Sequence, residues 1–343
     1  MSLNLGVIWE MSVKGAYQDE GRHHLGAAVE LPKKYHIDHL FKKEFRGRTI
    51  DDGILTLGLE STTTKQVSDF YTQNPFPNYD EFEDIDSLIN KSERNVFMKN
   101  LKREIGFSKT IIDVGSGTSQ FSINLAAQTN NNVIAFDPTR ASLVLGRDFA
   151  RRNGISNCIF VNADLLLDPF EPGSFDVVWC SGVLHHTRDP KAGFKIISKW
   201  VKKDGIIIIG LYNKYGRLRT VFRQKIFKLF LKSQFGRRLV FLLDPILRKD
   251  ISKEKKDAWF QDQYEHPVES LHTFDEVLGW FEDEGIEFVT AYPKADFQDF
   301  DFRNLLKKTG KGDAVTRFYA QVGMIFSHLG SEGGLFLMMG RKS

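Results

Sequence analysis

Between residues 109 and 211 the chain repeats one pattern: a short apolar run, a turn rich in small or polar residues, then a helix-length segment with one apolar face. The runs at 110–114, 132–136, 158–162, 175–180 and 205–211 are expected to be strands, and 118–129, 140–153 and 190–201 helices. The last run, GIIIIGL, is apolar at every residue from Ile206 to Ile209, as suits a strand covered on both faces. Strands alternating with helices predict an α/β fold with a doubly wound, mainly parallel sheet. A helix at 274–284 and strands at 286–290 and 335–340 resume the rhythm and bring the expected strands to seven.

The turn after the first strand reads Asp113-Val-Gly115-Ser116-Gly117-Thr-Ser119. Its glycines let the backbone turn tightly and approach a ligand closely. A dinucleotide fingerprint would place a third glycine at Ser119, and the lysine of a phosphate-cradling loop is absent. The acids are more specific. Asp137 ends the second strand, 24 residues after Asp113, where a carboxylate can take two ribose hydroxyls. Asp113 would repel a pyrophosphate but suits a ligand with an ammonium group. Asp164 follows the third strand, where it can accept from an adenine amino group. Any one of them could be a helix N-cap; three at successive strand ends would line one crevice.

The segments IIDVGSGTSQF, VIAFDPT, VNADLL, FDVVWCSGVLHHTRDP and VKKDGIIIIGLYN resemble the successive motifs of class I S-adenosylmethionine-dependent methyltransferases, nearest the small-molecule branch that methylates ubiquinone and menaquinone precursors. The resemblance covers about 109–212 and the last two strands. It implies a Rossmann-like, seven-stranded core at 109–343, with S-adenosylmethionine as methyl donor and S-adenosylhomocysteine as product. It also implies Asp113, Gly115, Ser116 and Gly117 around the methionine part of the donor, Asp137 and Pro138 at the ribose, Asp164 and Leu165 at the adenine, and Ser181 near the sulfonium. Ser119 in place of a glycine and Lys203-Asp204-Gly205 in place of Pro-Gly-Gly depart from the family pattern.

Residues 1–66 read as an irregular N-terminal extension, with a short apolar run at 54–59. From Val67, prolines at 75 and 77 alternate with aromatics, which predicts a rigid extended segment, followed by one helix over 87–105; together 67–108 would form a cap segment. FYTQNPFPNY resembles a segment that closes over the cofactor in a subgroup of these enzymes. Tyr71 is therefore a candidate contact for the donor's carboxylate end; the alternative is that Tyr71, Phe76 and Tyr79 pack this segment onto the core.

Methyl transfer from a sulfonium needs alignment and, for some acceptors, a base. His185 and His186 are the candidate bases. Tyr212 and Asn213 are expected to face the same crevice. Asn213 lacks the Pro-Pro-aromatic continuation typical of amino-nucleobase and glutamine methylation. His266 and Glu269 are candidate substrate-side or turn residues. No carboxylate or Cys completes a ligand set with His23, His24, His36 or His39, so no metal is expected. Cys158 and Cys180 read as small core residues.

The net charge of +3 conceals an asymmetry: residues 214–256 carry 14 Lys/Arg against three acids, +11, which leaves −8 for the rest. Insertions are expected at about 213–265, basic and helical, and at 294–333. In the first, Leu218, Val221, Phe222, Ile226 and Leu229 recur at near-helical spacing, flanked by Arg219, Arg223, Lys225, Lys228 and Lys232. Such a segment suits a lid with a solvated basic face, peripheral contact with a membrane, or an acidic or nucleic-acid partner. The acceptor expected is a small or lipid-like molecule. The alternatives are a protein or RNA acceptor, or a non-catalytic cofactor-binding subunit. No apolar stretch reaches the ~20 residues of a membrane span, and 1–15 lack a signal-peptide pattern, so a cytoplasmic location is expected.

Overall fold

The computed structural model describes residues 37–343 except 49, 60, 74, 76–78, 80–83, 231–232, 250–251, 297–302 and 327–333. The expectations for 1–36, His23, His24 and His36 among them, and for Phe76 and Lys232 fall outside the described residues.

A nine-stranded sheet organises the chain. Its strands are β1 (Ile50–Asp51), β2 (Ile54–Gly58), β3 (Thr110–Val114), β4 (Asn132–Asp137), β5 (Cys158–Ala163), β6 (Phe175–Ser181), β7 (Val201–Tyr212), β8 (Ile286–Tyr292) and β9 (Leu335–Lys342), in the order β1-β2-β5-β4-β3-β6-β7-β9-β8. Pairing is parallel from β2 through β7 and antiparallel at β1–β2, β7–β9 and β8–β9. The winding reverses between β3 and β6, and the crevice at their carboxyl ends is where such sheets bind ligands. Both faces are covered. Ile207 and Ile209 pack into one core cluster and Ile206 and Ile208 into the other, which is why that run is continuously apolar. Buried Cys158 and Cys180 are free thiols on opposite faces.

The expected seven strands are present and two more are added. The supposedly irregular extension contributes β1 and β2, joined by Asp52 (φ 47°) and Gly53 (φ 76°). Asp-Gly is the residue pair a two-residue hairpin turn of this hand requires. β2 pairs with β5 and buries Ile54 on one face and Leu55 and Leu57 on the other.

Residues expected to be extended are instead helical as far as Gln73, in α1 (Thr62–Gln73). Pro75 restricts only itself and its predecessor, so a helix can run to two residues before it. The expected single helix over 87–105 is two, α2 (Ile85–Arg94) and α3 (Val96–Ile105). Asn95 divides them: its side-chain oxygen accepts from the Phe97 and Met98 amides, capping α3. The core helices are α4 (Gln120–Ala126), α5 (Arg140–Arg152) and α6 (Pro190–Trp200).

The basic segment holds α7 (Leu218–Leu229), α8 (Gln234–Leu243) and α9 (Lys253–Phe260), then a π-helical turn over Gln261–Glu265. It has a small core of its own from Phe227, Val240, Leu247, Trp259, Phe260 and Tyr264. The inner face of α7 is not the apolar row read from sequence. Thr220, Arg223 and Phe227 point inward, and Leu218, Phe222 and Leu229 point out. The chain ends with α10 (Phe274–Asp283), β8, α11 (Ala314–Gly323) in the second insertion, and β9. No helix among the described residues is long and apolar enough to cross a membrane.

Candidate active site

The crevice beyond β3, β4, β5 and β6 opens into a cavity of about 360 Å³. On its wall stand Tyr71, Asp113, Gly115, Ser116, Gly117, Asp137, Pro138, Asp164, Leu165, Ser181 and His186, eleven of the twelve residues expected from sequence to bind the donor or accept a proton. His185 is the exception: fully buried, its ring lies 4.0 Å from that of Tyr212, behind the wall.

The loop after β3 folds back on β4. The Gly115 and Ser116 amides donate to the Phe136 carbonyl, and Gly117 donates to Asp137 Oδ2 at 2.8 Å. Gly115 has φ +71°, and a Cβ there would lie 2.2 Å from Val183 Cγ2, so no other residue fits. Ser119 adopts φ 64° where the family pattern has glycine. Its side chain has room because α5 places Gly146 opposite: a Cβ at 146 would come within 2.8 Å of Ser119 Cβ.

The three acids line one cavity, each held by hydrogen-bond donors. Asp113 accepts from Ser122 Oγ at 2.6 Å; burial, helped by the neighbouring Asp137, raises its pKa to about 7. Asp137 accepts from the Thr139 and Gly117 amides, which partly oppose burial and leave it at about 6. Asp164 accepts from the Leu166 amide at 3.0 Å and from the Ser61 amide at 2.9 Å. Capping and facing the cavity are therefore not alternatives for Asp164, which does both, whereas the residue that precedes α5 is Thr139 and Asp137 caps no helix.

Helix α1 closes one side. Thr64, Val67 and Tyr71 recur at helical spacing on the wall, and Ser68 Oγ donates to the Pro138 carbonyl. The insertion closes the other with Trp259, Asp262 and Gln263. The two sides join where the Tyr71 hydroxyl donates to Asp262 Oδ1 at 2.7 Å. Burial, then the Asp262 carboxylate, pushes the Tyr71 phenol well above its ordinary range, so it is a donor. Gln263 Nε2 donates to Asp262 Oδ2 and to the Tyr212 hydroxyl. Arg217, wholly buried, donates to Gln263 Oε1 and forks onto the Glu269 carboxylate, with its guanidinium carbon 3.6 Å from the Tyr212 ring centre. Glu269 is thus the partner of Arg217.

His186 and His266 stack with ring centres 3.7 Å apart. Burial holds both rings, and His185, below the ordinary imidazole pKa, His266 at about 3. His186 Nδ1 lies 2.7 Å from the Val268 carbonyl, which can only accept. That nitrogen therefore carries the proton, and Nε2 the lone pair. Asn213, expected in the crevice, turns away: it accepts from the Tyr215 and Gly216 amides and donates to Gln321.

Sequence reasoning missed Ser61, Thr64, Val67, Gln120, Asn124, Ser142, Trp259, Asp262 and Gln263 on or beside the wall. The signal available for the α1 residues was helical spacing through residue 71. Gln120 Nε2, Asn124 Oδ1 and Ser142 Oγ are buried polar atoms on this wall without a protein partner, and they stand beside the three carboxylates. Such a set fits a ligand with ammonium, hydroxyl and amino groups, as S-adenosylmethionine has. Among the described residues no three His, Cys, Asp or Glu side chains gather as a metal site.

The family described as a methyltransferase domain matches residues 107–264. Ubiquinone biosynthesis O-methyltransferase of Neisseria meningitidis is 33% identical over 110 residues, 31% of this chain and 45% of that protein. Demethylmenaquinone methyltransferase of Clavibacter sepedonicus is 34% identical over 99 residues, 29% of this chain and 39% of that protein. The chain spans less than half the length of these curated relatives. PKMT2 from Rickettsia typhi in complex with AdoHcy superposes with a TM-score of 0.51 at 13% identity, covering 72% of this chain and 54% of that one, a likeness of fold. Residues 107–264 thus match a methyltransferase domain, and Asp113, Asp137 and Asp164 of the crevice at the sheet's switch point all lie within the matched residues.

Proposed function

We propose that the protein methylates a small or lipid-like acceptor enclosed beneath α1 and the 213–265 insertion. The observation that carries this reading is the roof: the Tyr71–Asp262 hydrogen bond spans the cavity, and Met98, Phe121, Trp179, Trp259, Leu335 and Leu337 make much of the wall apolar. An enclosed apolar space suits a compact apolar acceptor. The relatives named for ubiquinone and menaquinone methylation point the same way.

When bound, the donor supplies an activated methyl group. In this reading Asp137 takes the ribose hydroxyls, Asp113 faces the donor's ammonium end, and Asp164 with the Leu165 backbone holds the adenine. Gly115, Ser116 and Gly117 leave room for the methionine part, Pro138 flanks the ribose, and Ser181 lies near the sulfonium. His186 is the proton acceptor, since Nε2 has the lone pair and the ring is neutral. His185 has no such access. Tyr71 and Asp262 orient the acceptor and exclude water.

Calorimetry with S-adenosylhomocysteine tests the donor side: binding is expected, and Asp137→Ala should weaken it about 100-fold by removing two charge-assisted hydrogen bonds. Absent binding sinks the proposal and leaves a non-catalytic fold. Incubating cell extract with a methyl-labelled donor tests the acceptor. Label in the organic-extractable fraction supports the reading; label confined to protein or RNA refutes it.

A further inference from the structure

We infer that the outer face of α7 and α8 docks on an anionic lipid bilayer. On α7, Leu218, Phe222, Lys225 and Leu229 advance by three or four residues and so form one stripe, opposite the buried Thr220, Arg223 and Phe227. Arg219 and Lys228, both exposed, flank the stripe. On α8, Phe235, Arg238 and Leu242 form the same kind of row, opposite the buried Gly236 and Val240.

These apolar side chains are not grazing the surface: Phe222 and Phe235 are 62% exposed, Leu242 69% and Leu229 76%. Each helix already has a packed inner side in the insertion's own core, so the outer residues are not a displaced core face. Apolar exposure on this scale marks an interaction site. The patch extends beyond the two helices, because Tyr215 lies against Phe318, ring centres 5.4 Å apart, and α11 exposes Phe318 and Tyr319 beside it.

Charge selects the occupant. The buried arginines of the segment are compensated internally, Arg217 by Glu269 and Arg223 by Asp244, and Arg237 pairs with Asp257. Arg219, Lys225, Lys228 and Arg238 form no ion pair among the described residues. A second copy of this face would bring the same cations together. A nucleic acid would neutralise them but has no use for the aliphatic Leu218, Leu229, Leu242 and Leu243. An anionic bilayer satisfies both sets, taking the apolar stripe below its headgroups and the flanking cations at their level. The same insertion supplies Trp259, Asp262 and Gln263 to the cavity, so docking would bring the cavity roof to the lipid.

Sedimentation of the full chain with vesicles, without donor or acceptor, tests this independently of methyl transfer. Binding is expected to phosphatidylcholine vesicles containing phosphatidylglycerol and to be far weaker with phosphatidylcholine alone. K225E/K228E should weaken it about tenfold or more, and F222S/L229S comparably. Neither pair lines the cavity, so donor affinity by calorimetry stays unchanged and reports an intact fold. Equal binding to both vesicles, no binding to either, or binding that survives both double substitutions overturns the inference. So does a solution dimer that F222S/L229S converts to monomer, or RNA binding that F222S/L229S leaves intact in a chain that ignores vesicles.

Discussion

The two halves of the cavity are built on different principles. On the side we assign to the donor, each acid stands at a strand end and is held mainly by groups close in sequence: Asp137 by Gly117 and Thr139, Asp113 by Ser122, Asp164 by Leu166, with the Ser61 amide, 103 residues away, as a distant second donor to Asp164. On the side we assign to the acceptor, contacts join distant segments, as Tyr71 does with Asp262, 191 residues away, and Arg217 with Gln263 and Glu269. A site assembled locally persists while its strands persist. One assembled across the chain depends on the insertion staying docked.

Arg217 is the sharpest place to break this contrast. Arg217→Ala would strand the Glu269 carboxylate and the Gln263 amide in the interior, and losing one partner of a buried pair costs about 3–5 kcal/mol. We expect thermal denaturation to reveal that loss as early melting of the insertion, with donor affinity at low temperature within a few-fold of the parent. Collapse of donor affinity in the folded variant would show that the halves are not separable.

Acidity probes the donor side alone. The Asp113 and Asp137 pKa values, about 7 and about 6 against an ordinary 3.8, mean that the folded chain without donor holds protons the unfolded chain releases. Stability of the donor-free protein should therefore fall as pH rises from about 4 to about 7, since the unfolded state binds fewer protons there. A cationic donor prefers the ionised carboxylates, so its affinity should rise over the upper part of that window, by about tenfold between pH 5.5 and 8. Calorimetry in buffers of different ionisation heat would register proton release on binding below pH 7; a flat profile would remove these acids from donor contact.

The smallest effect separates two roles for Tyr71. Tyr71→Phe loses the hydrogen bond to Asp262, and kcat/KM should fall about fivefold, as for one neutral-to-charged bond partly replaced by water, with donor affinity unchanged. A fall in donor affinity instead would return Tyr71 to the donor's carboxylate end.

The same division explains what could be read from sequence. The parallel core and the wall positions of Asp113, Asp137 and Asp164 were legible because one local rhythm sets both strand and strand end. The first helix was masked because Pro75 and Pro77 favour extended backbone, yet they restrict only themselves and the residues before them and leave the helical spacing of Thr64, Val67 and Tyr71 intact. The hairpin was missed although Asp52-Gly53 announces it. Asn213 was placed in the crevice by its position after β7, but its side chain is spent on a turn. Asp262 was invisible, since one acid among several in a basic insertion acquires its place only from its contacts with Tyr71 and Gln263. The outward apolar row of α7 could not be told from an inward one, because periodicity defines a stripe but not the direction it faces.

β2 carries one more consequence, in the order of assembly. Its neighbours in the sheet are β1 and β5, and β5 begins 100 residues after β2 ends. β2 leaves the ribosome before β5 and has no seat beside it until Ala163 has been made, and Ser61 cannot reach Asp164 before then. Tyr71 waits longer still, for Asp262. The first described part of the chain to be synthesised is thus among the last to be placed, and seating it closes a loop of about 100 residues at a cost in chain entropy.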